Sequence, residues 1–204
     1  MTSILKADTI QDTDGNNIIN ESGNTITIGA SGDTTNIIGT LQNNGSALAG
    51  GITMADQWRI ASDQNTGSNA DVTSGWERND SSGWSGIGSG LTESSGIFTL
   101  PQTGIYRIDF IAHWTIEGGD GNCEFILKIT TNNSSYNEVA QTRSGNQGSA
   151  VISSPGISNF LFDVTDTSNY KFKFTTGSFA GSTKLQGASS TQLTGFTIVR
   201  LGDT

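Results

Sequence analysis

The stretch "GIFTLPQTGIYRIDF", Gly96 to Phe110, decides the fold. It reads as a strand, a break at one of only two prolines, and a second strand. Extended chain repeats every two residues, so Phe98 and Leu100 share one face of the first strand. Pro101 has no N–H to give to a ladder and ends that strand. In "PQTG", Pro101 fixes φ and Gly104 is free to take positive φ, so the four residues read as a turn. Alternation then resumes. Tyr106, Ile108, Phe110, Ala112 and Trp114 fall on one face, with Arg107, Asp109, Ile111 and His113 on the other.

The same period recurs along the rest of the chain. "NCEFILKIT" sets Cys123, Phe125, Leu127 and Ile129 against Glu124, Ile126 and Lys128. "NFLFDV" puts Phe160, Phe162 and Val164 together, and "NYKFKFTT" turns Tyr170, Phe172 and Phe174 inward with Lys171 and Lys173 outward. "TGFTIVRLG" carries Phe196 and Ile198 on one face and Thr197, Val199 and Leu201 on the other. A strand apolar on both faces belongs to a sheet centre or a subunit interface. "DQWRIAS" and "SGWERND" add strands around Trp58 and Trp76. Gly, Asn and Asp separate these runs and no segment repeats at 3.6 residues, which predicts an all-β two-sheet sandwich or jelly roll over residues 52–204.

Residues 1–51 obey different physics. They contain none of the 4 Trp, 9 Phe or 3 Tyr. Their apolar residues are short clusters, Ile4–Leu5, Ile18–Ile19, Ile26 and Ile28, Ile37–Ile38 and Leu41, separated by turn sequences such as "DTDGNN" and "NESGN". The clusters recur every 8–11 residues or so, too briefly for a helix. Disorder or a small separate β domain would fit the polar content. The regular isoleucines favour short strands that wrap with copies of themselves along a shared axis. "ALAGG", Ala47 to Gly51, reads as a hinge.

Charge and length exclude several functions. With 10 Lys+Arg against 19 Asp+Glu the net charge is −9, unsuited to nucleic acid or to anionic membranes. No apolar run reaches the roughly 18–20 residues of a membrane span. "MTSILKADTIQ" lacks a basic n-region followed by an apolar run, so synthesis in a cytoplasm without a signal peptide is expected. Cys123 is the only cysteine and is expected to be a small core residue.

Three groups of residues raise the question of chemistry. His113 is the only histidine. It lies four residues from Asp109 and from Glu117, a spacing that does not bring side chains together on a strand. "EGGDGN", Glu117 to Asn122, is an acidic loop that could offer oxygens to Ca²⁺, or be an ordinary hairpin turn. No "GxSxG" or "HExxH" is present. A non-enzymatic protein with no cofactor and no metal is expected. "RNDSSGWSGIGSG" and "TTNNSSYN" place Trp84 and Tyr136 among hydrogen-bonding groups, a combination that suits a receptor glycan. The plainer alternative is solvated loops with Trp84 packed on its own domain.

"GIFTLPQTGIY" resembles the "G-x-F-x-x-P-x-x-G-x-Y" signature of the C1q/TNF-like jelly rolls, and "TGFTIVRLG" their closing strand. "MADQWRIASDQNTG", "GWERND" and "GIGSGLTESSGIFTLP" are similar to C1q-like domains in virion proteins of marine tailed phages. The opening "SILKADTIQDTDGNNII" resembles the N-terminal segments of such proteins. The chain departs from C1q in having no collagen-like Gly-X-Y stalk and no heptad run. The resemblance implies a homotrimer packed through an apolar strand face, for which Tyr106, Phe110, Phe196, Ile198, Val199 and Leu201 are the candidates. It also implies a three-chain β stalk over residues 1–51, packed by Ile18, Ile19, Ile26, Ile28, Ile37, Ile38 and Leu41. The expected function is a short virion fibre, spike or decoration protein. Residues 1–51 would dock it on capsid or tail proteins, and the head would contact the host surface. A free-standing carbohydrate-binding β-sandwich is the alternative, and a small hydrolase a third reading.

Overall fold

A computed structural model describes residues 9–11, 13–15, 17–22, 25–29, 32–38, 42–43, 46–47 and 51–204. The chain divides into two compact units, Met1–Gly50 and Gly51–Thr204. Of the expected hinge, residues 48–50 lie outside the described residues, as do Ile4, Leu5 and Leu41.

In the first unit, β1 (Thr9–Gln11), β2 (Asn17–Ser22) and β3 (Thr25–Ile28) form an antiparallel meander, and β4 (Gln42–Asn43) pairs with β5 (Ser46–Ala47). Ile10 pairs opposite Ile19, and Ile19 opposite Ile28. Directly opposed residues project to the same face, so the three isoleucines form one row across the sheet.

The second unit is all strand among its regular elements: β6 (Ala55–Ile60), β7 (Ser62–Gln64), β8 (Ala70–Asp71), β9 (Trp76–Arg78), β10 (Thr92–Ser94), β11 (Ile97–Thr99), β12 (Gly104–Ile116), β13 (Cys123–Thr130), β14 (Asn137–Ser144), β15 (Ile152–Val164), β16 (Lys171–Gly177), β17 (Lys184–Ala188) and β18 (Gly195–Gly202). One sheet runs β10-β11-β16-β13-β14, with β8 also on β16. The other runs β7-β17-β12-β18-β6-β9, with β15 on the free side of β12. Successive strands cross between the sheets, β11 to β12, β12 to β13, β14 to β15 and β15 to β16, which is jelly-roll wrapping.

The opening stretch is the corner of that wrapping. β10 and β11 form a hairpin closed by Ser95 (φ 52°) and Gly96 (φ 80°), the paired positive φ of a type I′ turn. β11 ends at Thr99, Leu100 is buried, and the chain leaves one sheet and enters the other at Gly104. "PQTG" therefore joins two sheets rather than two neighbouring strands. Tyr106 braces the corner by donating its hydroxyl to the Gln102 carbonyl at 2.8 Å.

The alternation read along β12 is the alternation found: Tyr106, Ile108, Phe110, Ala112 and Trp114 are buried between the sheets. Aromatic side chains dominate that layer. Phe98 stacks on Phe172 (ring centroids 5.1 Å apart) and meets Trp58, Trp76 and Phe196 edge-on. Phe125 stacks on Phe174 at 4.8 Å. Each such ring removes a large apolar surface from water, a gain of about 1.5–3 kcal/mol before packing geometry is counted.

One element differs from its expected length. β15 spans Ile152–Val164, far longer than the run "NFLFDV". Its first half, "ISSPGIS", carries proline, glycine and serines that read as loop. It forms a strand because β12 offers an unpaired edge along its whole length, in register from Ile116↔Ile152 to Gly104↔Val164. Pro155 is tolerated because β15 is itself an edge of that sheet.

Candidate interaction faces

Burial corrects the expected subunit interface. Tyr106, Phe110, Phe196 and Ile198 are fully buried in the core of a single chain, so they have no surface left for a partner. They face the second sheet because β12 and β18 pair Phe110↔Phe196 and Ile108↔Ile198 with all four side chains inward. Val199 and Leu201 point the other way, Val199 half-buried and Leu201 53% exposed.

The opposite face of the same sheet is where apolar surface is left over. Register places Val199, Arg107 and Leu161 in one row and Ile111 beside Ile157 in another. Ile157 is 72% exposed and Leu161 59%. A shallow hollow of about 160 Å³ lies among Asp109, Ile111, Ile157, Gln192 and Thr197. Arg107 and Asp109 pair with each other here at 2.9 Å, which leaves no net charge between the two apolar rows. His113 lies on this face opposite Pro155, and its backbone N–H donates to Thr194 Oγ1 at 3.1 Å. Ile157 was missed in the sequence because it sits in the half of β15 that reads as loop, and Leu161 because only the opposite face of "NFLFDV" carries the aromatic alternation.

In the first unit the named isoleucines within the described residues, Ile18, Ile19, Ile26, Ile28, Ile37 and Ile38, are all exposed on a single chain. Ile10 joins them, in the row Ile10–Ile19–Ile28, and Ile26 shares that face two residues from Ile28. These three lie nine residues apart, and Ile37 continues the interval. That strict spacing was the available signal for Ile10.

The two aromatic candidates have different surroundings. Lys173 Nζ sits 4.4 Å from the Tyr136 ring centroid and is held there by Asp71 at 2.6 Å, so one face of that ring is taken. Trp84 is half-buried in the loop between β9 and β10 and lines two hollows. The root of that loop hangs on Arg59, a buried side chain that donates to Glu77, Asn79, Ser81 and Asp80. Backbone bonds between Ala55 and Ile87 (3.1 and 3.0 Å) pin its far end to the edge of β6.

The acidic loop is tied up by protein donors. Asp120 is buried and accepts from the Ala180 N–H at 3.1 Å, while Asn146 bridges the carbonyls of Ile116, Glu117 and Ala150. No group of three or more His, Cys, Asp or Glu that could hold a metal occurs among the described residues. Cys123 is buried; burial, with the Asp120 charge beside it, pushes its thiol up to about 12.

Among solved structures the fold is similar to Eiger TNF from S. frugiperda, at 13% identity over 75% of this chain and 95% of that one, TM-score 0.54. It is similar also to murine APRIL, at 10% identity over 72% of this chain and 98% of that one, TM-score 0.52. No family model and no curated protein matches the chain. At these identities the likeness is one of fold: the chain is all-β and contains a TNF-like jelly roll.

Proposed function

We propose that the chain is a homotrimeric structural protein of a tailed-phage virion, a short fibre, spike or decoration protein. Its jelly-roll head would project from the particle and touch the host surface, and its first unit would dock on capsid or tail proteins. The observation that carries the trimer is the outer face of β12, β15 and β18, where Ile157, Leu161 and Leu201 stand exposed around a charge-neutral centre. Large apolar side chains exposed together on one face of a domain mark an interaction site. Closing such a face around a threefold axis buries it without leaving a free patch. The unburied isoleucine row of the first unit supports a stalk made from the same three chains. A three-stranded meander needs a covered hydrophobic face to be stable by itself, and among the described residues these isoleucines are exposed. The virion assignment is supported by the sequence resemblance of residues 3–19 and of the head to phage structural proteins.

Function then comes from assembly and repeated contact. Weak single-site contacts add up when several heads engage one surface. Two measurements test the proposal. Light scattering on the full chain is expected to give three times the chain mass, and a monomer would overturn the trimer. Mass spectrometry of purified particles is expected to find the chain, and its absence would remove the virion role. A free-standing carbohydrate-binding module is the second reading, favoured by the hollows beside Trp84.

A further inference from the structure

The loop "NDSSGWSGIGSG", Asn79 to Gly90, is built more firmly than a solvated connection needs to be. It leaves β9, folds across the outer face of β6 and returns to the same strand edge at Ile87. Arg59 points to that outer face, where its guanidinium would otherwise be open to water. The loop covers it and supplies Asn79, Asp80 and Ser81 as acceptors. At the other end Gly88 takes φ +64°, and a Cβ there would lie 2.2 Å from the Thr53 carbonyl oxygen, so only glycine allows the close approach. A loop anchored at both ends holds its central aromatic side chain in place before any ligand arrives, which lowers the entropic cost of binding.

That side chain is Trp84. It lines a hollow of about 230 Å³ together with Asp56, Gln57, Ser85 and Thr197. It also lines one of about 260 Å³ with Asp56, Arg78 and three glycines, Gly86, Gly88 and Gly90. Each is below the roughly 300–1,000 Å³ of a drug-sized site, which suits one small ring at a time. The charges at the site cancel. Asp56 accepts from Trp58 Nε1 (3.0 Å), the Leu91 N–H (2.8 Å) and Arg78 Nε (3.2 Å), and is the partner of Arg78. Asp56 is buried, and the partly exposed Arg78 is neutralised by it. A ligand meets an aromatic surface, glycine backbone and three polar side chains with part of their hydrogen-bonding capacity in use. Gln57 donates to the Thr197 hydroxyl at 2.9 Å and accepts from Asn79, which leaves its second amide hydrogen and the Thr197 O–H, and Ser85 makes only a long 3.3 Å bond to the Gly86 carbonyl. A ring with an apolar face and several hydroxyls matches that set; an anionic or purely apolar ligand does not.

We propose that Trp84 and its two hollows form a binding site for neutral saccharides, one sugar ring lying beside the indole with its hydroxyls on Gln57, Ser85 and Thr197. The site rests on the reading of the head as a surface-contacting module. It names the ligand class and selects Trp84 over Tyr136, whose ring face Lys173 occupies.

Saturation-transfer NMR on the full chain tests it. The probes are glucose, galactose, mannose, N-acetylglucosamine and their β-linked disaccharides, with glucuronic acid as the anionic control. Transfer to the ring protons of at least one neutral probe is expected. In Trp84→Ala affinity should fall at least about tenfold, since stacking and its buried area are lost together. Trp84→Phe should retain most of it. The solution mass should be the same for all three proteins. No transfer to any neutral probe, preference for glucuronic acid, or full binding by Trp84→Ala would each overturn the site. A change of mass in Trp84→Ala would make Trp84 a subunit contact and overturn it too. A monomer that binds sugar through Trp84 would sink the trimeric fibre and leave this site standing. A trimer that binds none would do the reverse.

Discussion

Gly104 is the residue on which the jelly-roll corner turns. Its φ is +144°, and a Cβ there would fall 2.4 Å from Arg200 Nε and 2.5 Å from the Gly202 carbonyl oxygen. Arg200 is itself placed to donate to the Thr103 carbonyl at 2.8 Å, across the same corner. Gly104→Ala therefore meets both a disfavoured backbone and a filled space, and is expected to cost about 2 kcal/mol or more in urea unfolding. Phe98 sits among four other aromatic rings, and Phe98→Ala should cost about 3–5 kcal/mol in the same measurement, by lost transfer energy and the cavity left behind. Cys123 gives a chemical test. Its thiol is buried and raised to about 12, so the thiolate that alkylating reagents need is scarce at pH 8. Iodoacetamide should leave the native protein unlabelled at that pH and label it fully in denaturant. The sign for stability follows: the folded state holds this proton more tightly, so its contribution is intact below the unfolded thiol's pKa and is lost as pH rises towards about 12.

Among the elements, β15 separates what pairing decides from what pattern reveals. Its aromatic end was legible because Phe160, Phe162 and Val164 alternate. Its polar end became a strand only because β12 is 13 residues long and needed a partner along that length. The same pairing aims Ile157 and Leu161 away from the core. Leu161→Asp and Ile157→Asp should thus separate subunits while the near-ultraviolet circular dichroism of the buried aromatics stays unchanged. Phe110→Asp, one face away, should abolish that signal by placing a carboxylate in the core. Light scattering and near-ultraviolet circular dichroism on the three variants check both expectations. The loop between β9 and β10 is the converse case. Its composition pointed to Trp84, but nothing local foretold that Arg59, from a neighbouring strand, would hold its root.

At the scale of the molecule, the two units make separable predictions. Removing residues 1–50 should leave the second unit folded, because its core is closed without them. If the outer face of β12, β15 and β18 is the main contact, that shortened chain should still have three times its own mass. Ile19→Ser with Ile28→Ser breaks the isoleucine row without touching the head. It should lower the melting temperature of the first unit in the full chain and leave the mass unchanged.

The amino-acid sequence by itself determined the class and the faces. Two-residue alternation is a local property of extended chain, so which side chains share a face could be read along β12, β13, β16 and β18 without knowing any partner. It also marked where composition changes near residue 51, since a segment without aromatic rings cannot build the same core. Only the tertiary structure decided which of the two faces is inside. Val199 and Phe196 are equally apolar in the sequence, and the difference between core and surface arises when the second sheet covers one side and not the other. Pairing, burial and the anchoring of Trp84 all depend on residues far apart in the chain, and local pattern carries no record of such distances.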